Sequence, residues 1–113
     1  MPVIYKIAPA SLWQEAEEAG VFTGAPVDLA DGFIHFSTAD QARETAAKHF
    51  AGQRDLVVVS VEADGLAPDL KWEPSRGGDL FPHLYRPLRV DEIARVDPLP
   101  WLGQSHDFGA ILP

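Results

Sequence analysis

Two histidines occupy strand-like positions where building a core does not call for one. His35 lies in Asp31-Gly32-Phe33-Ile34-His35-Phe36-Ser37-Thr38, and His83 lies in Phe81-Pro82-His83-Leu84-Tyr85. A strand beside Phe33, Ile34 and Phe36 would pack better with valine or isoleucine. Imidazole instead brings a group that changes charge near neutral pH and serves as acid, base or ligand contact. The residues around each histidine extend the chemistry. Ser37 and Thr38 sit where a strand passes into a helix, and free backbone N–H groups at such a junction can hold an anion. Taken alone, the same hydroxyls are better explained as a helix N-cap. Gln41 and Thr45, further along that helix, join them as candidate ligand contacts. His83 and Tyr85 have strand spacing and share a face, and Tyr85 can stack on a ligand or donate a hydrogen bond. Glu73, in Lys71-Trp72-Glu73, suits a general base or a partner for a ribose hydroxyl, while Trp72 fits the core. Tyr5 and Lys6 on the first strand could reach the same pocket, although Lys6 also suits a solvated edge charge. Arg76, Arg86 and Arg89 lie near Glu73 and His83 in sequence and could meet one anionic group. The catalytic candidates are therefore His35, His83 and Glu73. The binding candidates are Tyr5, Lys6, Ser37, Thr38, Gln41, Thr45, Tyr85 and Arg76.

Several chemistries find no support. The four histidines lack metal-ligand spacing such as H-x-x-x-H, and no metal is expected. The chain has no cysteine, which removes disulfides, thiolate ligands and a cysteine nucleophile and fits a reducing compartment. No strand leads into G-x-G-x-x-G, and neither a P-loop nor a G-x-S-x-G elbow is present. The formal net charge is −8 and the pI about 4.7. General nucleic-acid binding draws its affinity from lysine and arginine on phosphates, so that balance argues against it. The start of the chain carries no signal-peptide pattern, and charged residues interrupt every apolar run before it reaches spanning length. A cytoplasmic protein without a membrane segment is expected.

The elements that must position these groups are legible in outline. With 113 residues, 46% of them hydrophobic, one compact domain is expected. Val3 to Ile7 reads as a first strand. Ser11-Leu12-Trp13-Gln14 has the capping-box pattern, and Leu12, Ala16 and Ala19 follow helical spacing up to Gly20. Gly24 to Gly32 reads as a loop. Phe33 to Phe36 is a short strand. Thr38-Ala39-Asp40-Gln41 opens a second helix that presents Ala39, Ala42, Ala46 and Phe50 on one face and ends at Gly52. Leu56-Val57-Val58-Val59, with Val61, is a run rich in β-branched residues, the mark of a central strand covered on both faces. Leu70 to Glu73, His83 to Tyr85 and Glu92 to Val96 complete the strands. Residues 1–99 then form a single α+β domain, with two N-terminal helices on a mainly antiparallel, strongly bent or split sheet. Residues 100–113 read as an irregular tail, packed on the domain through its aromatics or partly frayed.

The phrases DGFIHFSTADQ with Thr45 downstream, KWE, and FPHLY together resemble the family known as domain of unknown function 952, over a span from Ile4-Tyr5-Lys6 to about Leu99. That family is usually grouped with the ADP-ribosyltransferase-like superfamily, whose members split NAD and pass on ADP-ribose. The resemblance implies an ADP-ribosyltransferase-like fold with NAD as substrate. Gly32 to Ser37 is similar to the segment of poly-ADP-ribose polymerases that forms the nicotinamide pocket, with His35 where those enzymes place a tyrosine. Phe81 to Val96 resembles the final hairpin, which in many transferases carries a catalytic glutamate, but this chain has His83 there and no acid. The first-strand histidine-glycine of the polymerases is also missing near Lys6-Ile7.

Three functions follow as expectations. The first is a pocket for a small nucleotide of NAD or ADP-ribose type, with His35 and His83 in transfer, glycosyl or phosphate chemistry. The second is a non-catalytic ligand-binding or interaction module that kept the fold and lost the chemistry. The third is a hydrolase or isomerase acting on a small anionic metabolite. The sequence leaves the oligomeric state open.

Overall fold

The central strand explains most of the architecture. In the computed structural model, which describes residues 2–75 and 78–113, β4 (Leu56–Glu62) runs antiparallel between β1 (Val3–Pro9) and β8 (Ile93–Leu99). Its valines are buried on both sides because both sides are covered. Val59 and Val61 pack with Ile4, with Trp13 and Ala16 of α1 (Ala10–Ala19), and with Phe36 and Leu84. Leu56 and Val58 pack on the other side with Tyr5, Ile7, Ala42, Ala46, Phe108 and Leu112. The continuous β-branched run therefore follows from double coverage rather than from a parallel sheet.

The other described strands form two smaller antiparallel sheets. β2 (Val21–Phe22) pairs with β7 (Leu88–Arg89). β6 (Asp79–Leu84) lies between β3 (Ile34–His35) and β5 (Leu70–Ser75). The first and third sheets meet where Tyr5 and Ser37 exchange both backbone hydrogen bonds at 2.8 Å. The radius of gyration, 13.1 Å, matches the value of about 13 Å that a single compact domain of this length should have. The α+β class and the mainly antiparallel pairing agree with the sequence.

The helices depart from expectation in two places. α1 begins at Ala10 with Pro9 at its N-cap and no side-chain cap, so Ser11 lies inside the helix and the Ser11–Gln14 capping pattern is not used. Proline suits that boundary because its missing N–H and fixed φ cost the helix start nothing. The expected loop from Gly24 to Gly32 contains a short helix, α2 (Pro26–Asp31), ended by Gly32 at φ 88°. Gly24 is required on this segment for a steric reason. It has φ 124°, and a Cβ there would stand 2.8 Å from the Cβ of Asp28. α3 (Ala39–His49) begins at Thr38, whose N–H donates to Gln41 Oε1 at 3.0 Å, and its Glu44–Lys48 pair closes at 2.8 Å. Beyond β8, Phe108 and Leu112 are buried against Tyr5, Ile7 and α3. Trp72 is 42% exposed rather than core, because it lies on β5, an edge of the third sheet.

Candidate functional site

The register of β3 on β6 places His35 directly opposite His83. Directly opposed residues share a sheet face, and the ring centroids are 5.5 Å apart, edge to face. Phe33 fixes their spacing. Its ring stacks on His83 at 4.1 Å and touches His35 at 4.6 Å and Tyr85 at 5.2 Å. His83 is buried, whereas the His35 side chain is 31% exposed.

Each imidazole is held by carboxylate. His83 Nδ1 lies 2.9 Å from Glu73 Oε1, and the Tyr85 hydroxyl donates to the same oxygen at 2.6 Å. The Tyr85 hydrogen bond, then that of His83, holds the Glu73 carboxyl below its ordinary value, and the same bond pushes the Tyr85 phenol up. An ionised Glu73 only accepts, so Nδ1 of His83 carries a proton and Nε2 is the nitrogen left for chemistry. This is the orienting role that a carboxylate plays behind a catalytic histidine. His35 faces acids on both sides, with Nδ1 2.6 Å from Asp28 Oδ1 and Nε2 2.9 Å from Asp31 Oδ2. A neutral ring can donate to one of these oxygens and an imidazolium to both.

Asp28 organises this half of the site. Both its oxygens lie 2.9 Å from Lys6 Nζ, and it also accepts from the backbone N–H of Ala25 at 2.7 Å and of His35 at 3.1 Å. Burial pushes its carboxyl up, but the hydrogen bond to His35 and the Lys6 charge outweigh that and bring it down to about 2. Lys6 is buried beside it, and burial lowers the ammonium's pKa against the opposing pull of Asp28. Lys6 is therefore an interior cation with a single dedicated partner, not a solvated edge charge.

These groups open on a cleft of about 540 Å³. Its polar wall includes Lys6, Asp31, His35, Ser37, Thr45 and His83, and its apolar wall includes Ile7, Val27, Phe36, Phe50 and Phe81. The volume lies within the range of small-ligand pockets. The cleft thus gathers Tyr5, Lys6, His35, Ser37, Thr45 and His83 from the sequence candidates. Glu73 and Tyr85 stand behind His83. Thr38 and Gln41 work at the start of α3, where Gln41 Nε2 also donates to the Leu80 carbonyl at 2.8 Å. Ser37 and Thr45 hydrogen-bond each other at 2.9 Å. Arg76 lies outside the described residues. Arg86 is not free for an anion, since it is clamped by Glu92 at 2.8 and 2.7 Å and by Asp69 at 3.1 Å. Asp28, Asp31 and Phe33 were missed. The available signals were Asp31 four residues before His35 and a lone acid behind Gly24-Ala25-Pro26, where it can close a helix start. Among the described residues, no group of three or more histidine, aspartate or glutamate side chains is placed to hold a metal ion, and no helix is long and apolar enough to cross a membrane.

The fold and cleft define a small α+β domain with paired, carboxylate-held histidines at a sheet junction. The chain belongs to the family described as protein of unknown function, DUF952, whose model matches residues 7–96. It is similar to the crystal structure of protein CC0527 from Caulobacter crescentus, with 53% identity over 95% of both chains and a TM-score of 0.90. The solution NMR structure of CC0527 matches with 52% identity over 99% of this chain and 97% of that one, at a TM-score of 0.88. Among curated proteins none matches this chain.

Proposed function

We propose that this is a cytoplasmic protein whose cleft binds a small nucleotide-type ligand, NAD or an ADP-ribose derivative, on an ADP-ribosyltransferase-like fold, with His35 and His83 performing acid–base work on it. The observation that carries this reading is the pairing itself. Two imidazoles come from neighbouring strands, lie 5.5 Å apart and line one cleft, and each is oriented by carboxylate. His83 accepts a proton at Nε2 while Glu73 holds the imidazolium that forms. His35 supplies a proton or a positive edge to charge developing on the ligand. Glu73 is a positioning residue, because its Oε1 is engaged by both His83 and Tyr85. That engagement weakens a mechanism in which a free carboxylate stabilises a sugar cation.

One observation favours the second reading, a binding module without catalysis. Lys6, His35 and His83 already have carboxylate partners inside the fold. Calorimetry with NAD and ADP-ribose, followed by an assay for nicotinamide release, separates the two. Binding that is lost in both His35→Ala and His83→Ala, together with release, supports the first reading. Binding without release supports the second. Absence of binding at millimolar ligand refutes the first reading.

A further inference from the structure

The charges around the cleft sort ligands more sharply than its size does. Besides the His49 imidazole, which also lines the cleft, Asp28, Asp31 and Glu73 face one ammonium, Lys6, and the two imidazoles of His35 and His83. Even with both imidazoles protonated this set is only neutral, and with both neutral it is anionic. Phosphate and carboxylate sites normally offer unpaired cations or a fork of donors. Here Lys6 donates to both oxygens of Asp28, and the exposed edge of His35 is already turned to Asp31. Lys71, an exposed cation paired in register with His83, stands 5.0 Å over the Tyr85 ring and is not part of the cleft wall. The lining also carries Phe36, Phe50 and Phe81, and aromatic faces attract cations and repel anions.

We infer that the cleft selects a ligand with an apolar or aromatic body and an uncharged or cationic head, and that Asp31 is the residue that sets this choice. The inference rests on the cleft being a ligand site and names the end of the ligand that enters. For a nucleotide, the base or its glycosyl end goes in and the phosphates stay outside. A wholly anionic metabolite is rejected. Asp31 decides because its carboxylate is half exposed at the end of α2 and reaches His35 Nε2, the point where an entering head group would bond.

Three planar probes of nearly equal size isolate the charge: benzamidine, benzamide and benzoate. Each is titrated by NMR into the wild-type chain and into Asp31→Asn, with the amides of His35, Ser37 and Phe81 reporting on the cleft. Benzamidine and benzamide are expected to bind, with benzoate about tenfold weaker or worse. Asp31→Asn should narrow the benzamidine–benzoate gap by about three- to tenfold. Benzoate binding most tightly overturns the charge preference, and a gap unchanged in Asp31→Asn overturns the role given to Asp31; either result leaves the ligand cleft standing. If no probe moves the cleft amides, the cleft reading fails and this inference fails with it.

Discussion

Replacing Asp28 by asparagine tests the electrostatic account of the site most directly. The substitution keeps the side-chain shape but only one of the two acceptor oxygens, so the N–H of Ala25 or that of His35 loses its partner, and it strands the Lys6 ammonium in the interior. Breaking a buried pair by removing one partner costs about 3–5 kcal/mol. Lysine has an escape, which is to fold without its proton. Relative to the ordinary lysine value of 10.5, that escape costs about 4 kcal/mol near pH 7.5 and about 1.4 kcal/mol near pH 9.5. The sign follows from proton counting. In that interval the unfolded chain binds more protons at Lys6 than the folded variant does, so the variant gains stability as pH rises. Urea unfolding of both proteins at the two pH values, followed by tryptophan fluorescence, should show the stability difference shrinking by about 2–3 kcal/mol. Adding Lys6→Met to Asp28→Asn should recover most of the loss, because no buried charge is then left unpaired. A difference that does not change with pH, or a double variant no more stable than the single one, refutes the claim that Asp28 acts chiefly as the counter-charge of Lys6.

On the acid side the wild type should show a pH dependence of the same sign, set by Asp28 itself. Asp28 is held at about 2 against 3.8 for the free side chain, so its contribution of roughly 2 kcal/mol is present above about pH 4 and is lost as pH falls toward 2. A denaturant series over that range should show the slope in the wild type and a shallower one in Asp28→Asn. Glu73→Gln should alter the nitrogen-15 signature of the His83 ring, since Nδ1 loses its anionic acceptor, while the unfolding midpoint stays nearly unchanged because Glu73 is exposed to solvent. Leu84, fully buried between His83 and Tyr85, should cost about 2–5 kcal/mol when cut to alanine. That measurement, made by urea unfolding, fails the packing account if the loss stays under about 1 kcal/mol.

The sequence exposed the parts of the site that depend on residue type and concealed those that depend on register. His35 and His83 stood out because imidazole among phenylalanine and isoleucine is costly without a purpose. The valine run of β4 announced a doubly covered strand, and Thr38 with Gln41 announced the start of α3. What could not be read was that His35 faces His83, because β3 is two residues long and no periodicity survives in so short a strand. Asp28 stayed hidden for a related reason. Six residues between Gly24 and Gly32 fold into a helix held by tertiary contacts, including the Lys6 ammonium 22 residues away in the chain, and glycine and proline in that stretch are the usual marks of a loop. Trp72 misled because large aromatics are usually buried, and nothing local shows that its strand is an edge.

The Tyr5–Ser37 exchange joins two sheets that supply different components of the site. The β5–β6 hairpin carries His83 with its supporting Glu73, whereas β1, α2 and α3 supply much of the surrounding wall. The paired imidazoles and the rest of the cleft wall are thus largely separate inheritances. Substitutions at Ile7, Val27 or Phe50 can redraw the wall while leaving the His35–His83 register intact. A lineage built on this fold can reshape the cleft without rebuilding the histidine pair.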